Sequence, residues 1–95
     1  MLEKAIERKM VQALEARGAL AWKFTSPGRQ GVPDRIVLLP GGRVVFVETK
    51  TQIGRLSAAQ RITIKKMRDL GHDVRVVYGA EQAARLIEEV MPNDL

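Results

Sequence analysis

The chain has 95 residues, carries a net charge of +5 from 16 Lys and Arg against 11 Asp and Glu, and contains no cysteine. This length predicts one domain, residues 1–95, and the absence of cysteine excludes disulfides and thiolate metal sites. No apolar run is long enough to span a membrane and the N-terminus does not resemble a signal peptide, so we expect a cytoplasmic protein without membrane contact. The basic charge is typical of proteins that bind polyanions, of which nucleic acid is the commonest.

The first third of the chain predicts a helix, a strand and a loop. Apolar residues recur about every fourth position from Leu2 to Arg17, which predicts a helix. Residues 19–24 predict a short strand, whose Trp22 and Phe24 are expected in the core or at a dimer interface. The nine residues that follow hold two prolines and two glycines, and this predicts a loop.

Two apolar strands joined by a short turn predict a hairpin in the middle of the chain. The strands are residues 35–39 and 43–50, and the turn is Pro40-Gly41-Gly42. Both faces of this hairpin are apolar, which indicates a sheet covered by helices above and below.

The last third predicts a helix, a strand and a helix. Ser57 and Gln60 have the spacing of a capping box at the start of the second helix. Residues 73–78 predict a fourth strand, and a last helix is expected from about Ala80 to Met91. A strand–helix–strand unit connects parallel strands by a right-handed crossover. The element order αβββαβα therefore predicts a single α/β unit.

The length of the hairpin turn decides where three charged side chains lie. A three-residue turn places Asp34 opposite Glu48 and projects Asp34, Glu48 and Lys50 to one face, whereas a two-residue turn separates them. Two carboxylates about 5 Å apart repel each other. Mg²⁺ or Mn²⁺, with the backbone carbonyl of Thr49 as a further ligand, removes this conflict. Lys50 would then orient the nucleophile and offset negative charge, which predicts metal-dependent phosphodiester hydrolysis.

The residues around these charges resemble a known nuclease signature. Asp34 preceded by Gly31 and Pro33, and followed by Glu48-Thr49-Lys50, resembles the PD-(D/E)XK motif. The longer run GVPDRIVLLPGGRVVFVETKT, with GRLSAAQ and GHDVRVVY, is similar to the stand-alone VRR-NUC domains of phages and bacteria. Thr49 stands where such domains frequently have Val or Leu, and only its backbone is expected to matter.

This resemblance implies a fold, an activity and roles for the charged residues. The fold is a restriction-endonuclease-like core with a mixed four-stranded sheet flanked by helices. The activity is that of an Mg²⁺- or Mn²⁺-dependent, structure-specific endodeoxyribonuclease that hydrolyses branched DNA such as four-way (Holliday) junctions, in some members as a homodimer. The resemblance implies Asp34 and Glu48 as metal ligands and Lys50 as the catalytic lysine.

Two further catalytic candidates lie on the helices. Such nucleases often add an acid from the first helix, where Glu3 and Glu7 are one turn apart. Resolvase-like relatives place this acid eleven residues before the glycine that ends the helix, and this spacing from Gly18 selects Glu7. Gln60 is the second candidate, with a role in the helix cap alone as the alternative.

Three arginines are candidate DNA contacts: Arg29, Arg55 and Arg61. Contacts to phosphates fix the position of the DNA without reading its bases. Only four aromatic residues are present, too few for binding single strands by base stacking. We therefore expect recognition of DNA shape. Symmetric cutting of a junction requires two active sites and hence a homodimer, formed through the first strand or the last helix. The alternatives are a non-catalytic nucleic-acid-binding module, a structural subunit, and a nicking or restriction-like nuclease on linear duplex DNA.

Overall fold

The structure is a computed structural model that describes residues 2–91, and in this range it contains three α-helices and four β-strands. The elements are α1 (Glu3–Ala16), β1 (Leu20–Lys23), β2 (Arg35–Leu38), β3 (Val44–Lys50), α2 (Ala58–Asp69), β4 (Val74–Tyr78) and α3 (Gly79–Val90), with a single 3₁₀ turn at Pro40–Gly42. Among these helices none has the length and apolar character needed to cross a membrane.

The four strands form one mixed sheet in the order β1-β2-β3-β4. β1 pairs with β2 and β2 with β3 in antiparallel fashion, whereas β3 and β4 are parallel. Helix α2 connects the two parallel strands, as the strand–helix–strand pattern predicted. The predicted fold class is confirmed: the order is αβββαβα, and helices flank a mixed four-stranded sheet.

The hydrophobic core lies on the sheet face that α1 and α3 cover. Alternate residues of the central strands, Val37, Val45 and Val47, point to this face and are at most 1% exposed. Met10 and Leu14 of α1 meet them, as the four-residue spacing of apolar residues in this helix predicted. Burial of side chains of this size typically contributes about 1.5–3 kcal/mol each, so this layer is the main source of stability.

The opposite sheet face is covered only in part: the predicted cover on both faces of the hairpin is incomplete at Val44, and β1 is also open on this face. Helix α2 packs against β4 at the other side of the sheet. Leu20 and Trp22 of β1 are therefore 47% and 54% exposed, and Val44 is 40% exposed. Because these residues alternate with the core residues, they form an apolar surface on a single face of the sheet. Trp22 is thus not a core residue.

Candidate active site

The hairpin between β2 and β3 has the three-residue turn that the site requires. The N–H of Leu39 donates to the carbonyl of Arg43 at 2.8 Å, so these residues close the turn. Gly41 and Gly42 have φ angles of 83° and 81°, a region that residues with a Cβ rarely adopt. The ladder pairs Arg35 with Val47 at its far end, so one further step in the register places Asp34 opposite Glu48.

Asp34 and Glu48 form a close pair of carboxyl groups at the end of this hairpin. Oδ2 of Asp34 accepts a hydrogen bond from the N–H of Thr49, the neighbour of Glu48, at 3.3 Å. Burial, and secondly the negative charge of Asp34, raise the pKa of Glu48 to about 7, although the positive charge of Lys50 opposes this change. Above pH 7 Glu48 is therefore mostly ionised beside Asp34, and among residues 2–91 the charge of Lys50 opposes this repulsion only in part.

One carboxylate oxygen of Glu48 accepts a hydrogen bond, and the other does not. Its Oε2 accepts a hydrogen bond from Nε2 of Gln60 at 3.1 Å and lies 3.6 Å from Nζ of Lys50. Its Oε1 is buried and has no hydrogen-bond partner among residues 2–91. A buried polar atom without a partner is costly, so this oxygen is arranged for a proton or a cation that is not part of the chain.

The backbone of Thr49 offers a further oxygen at this position. Continuing the hairpin register places Thr49 opposite Pro33, which has no N–H to donate to the Thr49 carbonyl. Carboxylate and carbonyl oxygens are the ligands that Mg²⁺ prefers, and this ion keeps several waters. The donor set of Asp34, Glu48 and Thr49 therefore fits a divalent cation. In the described part of the chain no group of three or more His, Cys, Asp or Glu side chains is placed to hold a metal, so the chain would supply only two carboxylates.

Gln60 makes both of the contacts considered for it, one in the cap of α2 and one with the Glu48 carboxylate. Its N–H donates to Oγ of Ser57 at 3.1 Å, and the N–H of Ser57 donates to its Oε1 at 2.8 Å, which confirms the capping box at the start of α2. The amide nitrogen of the same side chain donates to Glu48. One residue therefore ties the start of α2 to the carboxylate pair.

Glu7, which the spacing to Gly18 selects, pairs with two cations instead of contacting the carboxylate pair. Its Oε2 accepts a hydrogen bond from Nε of Arg35 at 2.7 Å and lies 3.3 Å from Nζ of Lys23. Arg35 is opposite Val47 in the ladder, so its side chain belongs to the sheet face opposite to that of Glu48. By contrast, the charge of Glu3 contributes to the raised pKa of Glu48.

Separate substitutions of the two acids are expected to have different effects. Glu3→Gln should slow DNA cleavage by about 10–100-fold, the usual effect of losing a group that supports metal ligands, without lowering the melting temperature. Glu7→Gln should leave cleavage unchanged but destabilise the fold by about 1–3 kcal/mol, because it weakens charged hydrogen bonds. Turnover rates and thermal melts of both variants check this. A slow Glu7→Gln enzyme of normal stability would return the catalytic role to Glu7.

The three arginines proposed as DNA contacts are exposed around the start of α2. A Cβ on Gly31 would overlap the carbonyl oxygen of Ala59, so only glycine allows the loop that carries Arg29 to approach this helix so closely. Arg55 precedes the helix cap in the chain. Arg61 donates to the carbonyl of Leu56 at 3.1 Å and so stays beside the same segment. The loop of Arg29 and the segment of Arg55 thus both adjoin the first turn of α2, which carries Gln60.

Comparisons with known proteins identify the family. The sequence model of the VRR-NUC domain matches residues 1–81. A protein named "Putative nuclease p44", from Acyrthosiphon pisum secondary endosymbiont phage 1, is 41% identical over 75 residues, which are 79% of this chain and 81% of that protein. A solved structure described as a VRR_NUC domain is 32% identical, covers 90% of this chain and 94% of its own, and superposes with a TM-score of 0.84. The hairpin that places Asp34 opposite Glu48 thus lies inside the matched region, and the chain belongs to the VRR-NUC domain family.

Proposed function

We propose that the protein is a metal-dependent, structure-specific DNA endonuclease that hydrolyses phosphodiester bonds in branched DNA such as four-way junctions. The observation that carries the proposal is the Glu48 carboxyl group, which is buried beside Asp34, has one oxygen without a partner and has a pKa raised to about 7. Strongly perturbed carboxyl groups of this kind cluster at functional sites. Membership of the VRR-NUC domain family, and a relative named as a nuclease, support the same activity.

Asp34, Glu48 and the carbonyl of Thr49 would hold the cation, for which Mg²⁺ and Mn²⁺ are the candidates. When bound, a divalent ion activates water as a nucleophile and offsets negative charge on the phosphate. The chain's own residues orient the Glu48 carboxylate and stabilise charge on the substrate. Gln60 fixes the orientation of Glu48 through its amide nitrogen. The ammonium group of Lys50, 3.6 Å from Glu48, stabilises negative charge that develops on the phosphodiester and helps orient the attacking water.

The surroundings of the site favour double-stranded DNA over single strands. Arg29, Arg55 and Arg61 would contact phosphates, which positions the substrate without reading its bases. Stacking of unpaired bases requires a platform of aromatic side chains. The whole chain has one Trp, one Tyr and two Phe, and the rings of the two Phe, Phe24 and Phe46, lie against each other with centroids 5.5 Å apart. Such a nuclease would act in the cytoplasm of a bacterial or phage-infected cell, where its DNA substrate is found.

Symmetric cutting of a junction requires two active sites, and we propose that two copies of this chain associate through the exposed apolar face of Leu20, Trp22 and Val44. These residues share one sheet face next to the uncovered edge strand β1. A twofold interface needs one self-complementary patch, and a contiguous exposed apolar patch is typical of interaction sites.

A charge placed in this patch is expected to separate the copies. Trp22→Glu should convert a dimer into a monomer because the carboxylate would be buried without a partner at the interface. Leu70→Glu is the matched control, since Leu70 is also an exposed apolar residue, at the end of α2, and its substitution should leave the dimer intact. Sedimentation velocity measures both masses. A monomeric wild-type protein, or a dimeric Trp22→Glu variant, would contradict this interface.

The test of the proposed activity is a comparison of DNA substrates and metals. Labelled linear duplex, flap and four-way junction DNA are incubated with the protein in Mg²⁺, Mn²⁺ or EDTA. We expect cleavage of a branched substrate that requires metal and stops in EDTA. Cleavage that persists in EDTA would overturn the mechanism. Binding without cleavage in any metal would indicate the alternative, a non-catalytic nucleic-acid-binding module, and preferential cutting of linear duplex would indicate a nicking or restriction-like enzyme.

A further inference from the structure

A basic cleft lies between α1 and the β1 edge of the sheet, outside the carboxylate pair. Its volume is about 330 Å³. We call it the α1–β1 cleft; its lining residues are Lys4, Glu7, Arg8, Val11, Gln12, Lys23 and Arg35.

The cleft has an excess of positive charge that residues 2–91 do not neutralise. It is lined by four cations and one acid, which gives a net charge of +3. Glu7 is shared by Lys23 and Arg35. Lys4 and Arg8 are exposed, and within residues 2–91 neither forms an ion pair. Because like charges one helical turn apart destabilise a helix, the pair of Lys4 and Arg8 is unfavourable unless an anion lies between them.

The α1–β1 cleft is at the same end of the sheet as the proposed catalytic residues. Lys4 follows Glu3 in the chain, and Arg35 follows Asp34. Lys23 precedes Phe24, whose N–H donates to the carbonyl of Asp34 at 2.8 Å. An anion in this cleft would therefore lie at the end of the sheet that carries the carboxylate pair, but on the face that α1 covers, opposite to the face of Glu48.

We infer that the α1–β1 cleft binds the phosphodiester backbone of the DNA that flanks the cleaved bond, with Lys4 and Arg8 as direct phosphate contacts. This inference rests on the proposed function, since it takes DNA as the substrate. Contacts of this type are independent of sequence and release counterions from the DNA, so they make the affinity dependent on salt. The cleft would hold one arm of a branched substrate and so add to the contacts made by the arginines around α2.

The double variant Lys4→Gln/Arg8→Gln tests this assignment. All three residue types have similar helix propensity, so the fold should be unchanged. The matched control is Lys9→Gln/Arg85→Gln, which removes the same charge from two exposed residues outside the cleft. Binding of four-way junction DNA is measured by fluorescence anisotropy in EDTA across a salt series. Loss of two phosphate contacts should reduce the slope of log affinity against log salt by about 1.8, and weaken binding at 0.1 M salt about tenfold or more.

Cleavage kinetics provide a second readout. The cleft variant should show a raised KM and an unchanged kcat, because a binding contact far from the reacting atoms acts equally on the ground and transition states. Equal affinities and salt slopes for the cleft variant and the control would overturn the inference, as would a lowered kcat at unchanged KM. A wild-type protein that binds DNA but does not cut it would overturn the proposed activity and leave the binding comparison as a test of the cleft.

Discussion

Replacing Lys50 with alanine is expected to reduce the rate of DNA cleavage by about 10²–10³-fold, the effect of removing one group that stabilises transition-state charge. DNA binding should persist because the ammonium group acts on the reacting phosphodiester. Lys50 is well placed for this role: its side chain is only 15% exposed, and Nζ lies 3.6 Å from the Glu48 carboxylate. Single-turnover cleavage and anisotropy measurements on the same junction check both halves of the prediction.

The Lys50 experiment needs saturating metal and a control. The charge of Lys50 lowers the pKa of Glu48, so its removal also makes Glu48 harder to ionise and weakens cation binding. Saturating Mg²⁺ or Mn²⁺ separates this effect from the chemical step. Lys9→Ala removes the same group from an exposed position on α1 and should cut at the wild-type rate. If Lys50→Ala also cuts at that rate, Lys50 is not a catalytic residue.

Glu48 is expected to make the metal-free protein less stable as the pH rises. Its pKa is raised from the ordinary value of 4.5 to about 7, mainly by burial. Between these values the folded protein binds a proton that the unfolded chain has lost, so the stabilising contribution is complete below pH 4.5 and disappears as the pH rises through 7. The difference corresponds to about 3 kcal/mol of unfolding free energy. Urea unfolding in EDTA at pH 6 and pH 8 should show about 1.3 kcal/mol of this loss, because the rest occurs below pH 6. Saturating Mg²⁺ at pH 8 should restore stability.

The Glu48→Gln variant should therefore be more stable than the wild type in EDTA at pH 8, by about 1–3 kcal/mol, since it removes a buried charge beside Asp34. For a domain of this size, each kcal/mol of added stability raises the melting temperature by roughly 4–8 °C. The same variant should gain no stability from Mg²⁺ and should not cleave DNA, because a ligand is lost.

A matched control separates this effect from a general change of charge. Glu15→Gln removes one negative charge from an exposed position of α1 and should keep the wild-type pH dependence and response to metal. If Glu48→Gln is less stable than the wild type in EDTA at pH 8, repulsion between the two carboxylates does not destabilise the fold. The main argument for a cation site then fails.

Features that depend on neighbouring residues could be predicted from the chain alone. Pro40-Gly41-Gly42 marks the turn of the hairpin, and a three-residue turn brings Asp34 opposite Glu48. The charges at the end of the hairpin, and not the turn residues, favoured this turn over a two-residue one. The pair of Ser57 and Gln60 defines the start of α2. The contact of Gln60 with Glu48 was a candidate only, because it joins two elements that approach each other through packing.

The choice between Glu3 and Glu7 could not be made from the chain. The two acids lie one turn apart on α1, so helical periodicity treats them alike. Their environments differ because β1 and β2 bring Lys23 and Arg35 to Glu7, and neither residue is near it in sequence. The one signal in the sequence is a basic residue at the end of a strand whose side chain faces inward. Its position alone does not show which acid it pairs with.

The sequence by itself determined the element order and placed Asp34, Glu48 and Lys50 at the end of one hairpin, because these follow from local turn, capping and alternation rules. It left two turn lengths open, and the structure decided between them. Tertiary structure alone decided that Glu7 pairs with Lys23 and Arg35. It also decided that one oxygen of Glu48 is buried without a partner among residues 2–91, and that the face around Trp22 stays exposed. Burial and charge at a side chain depend on elements that meet through folding, and such contacts are not encoded in the spacing of adjacent residues.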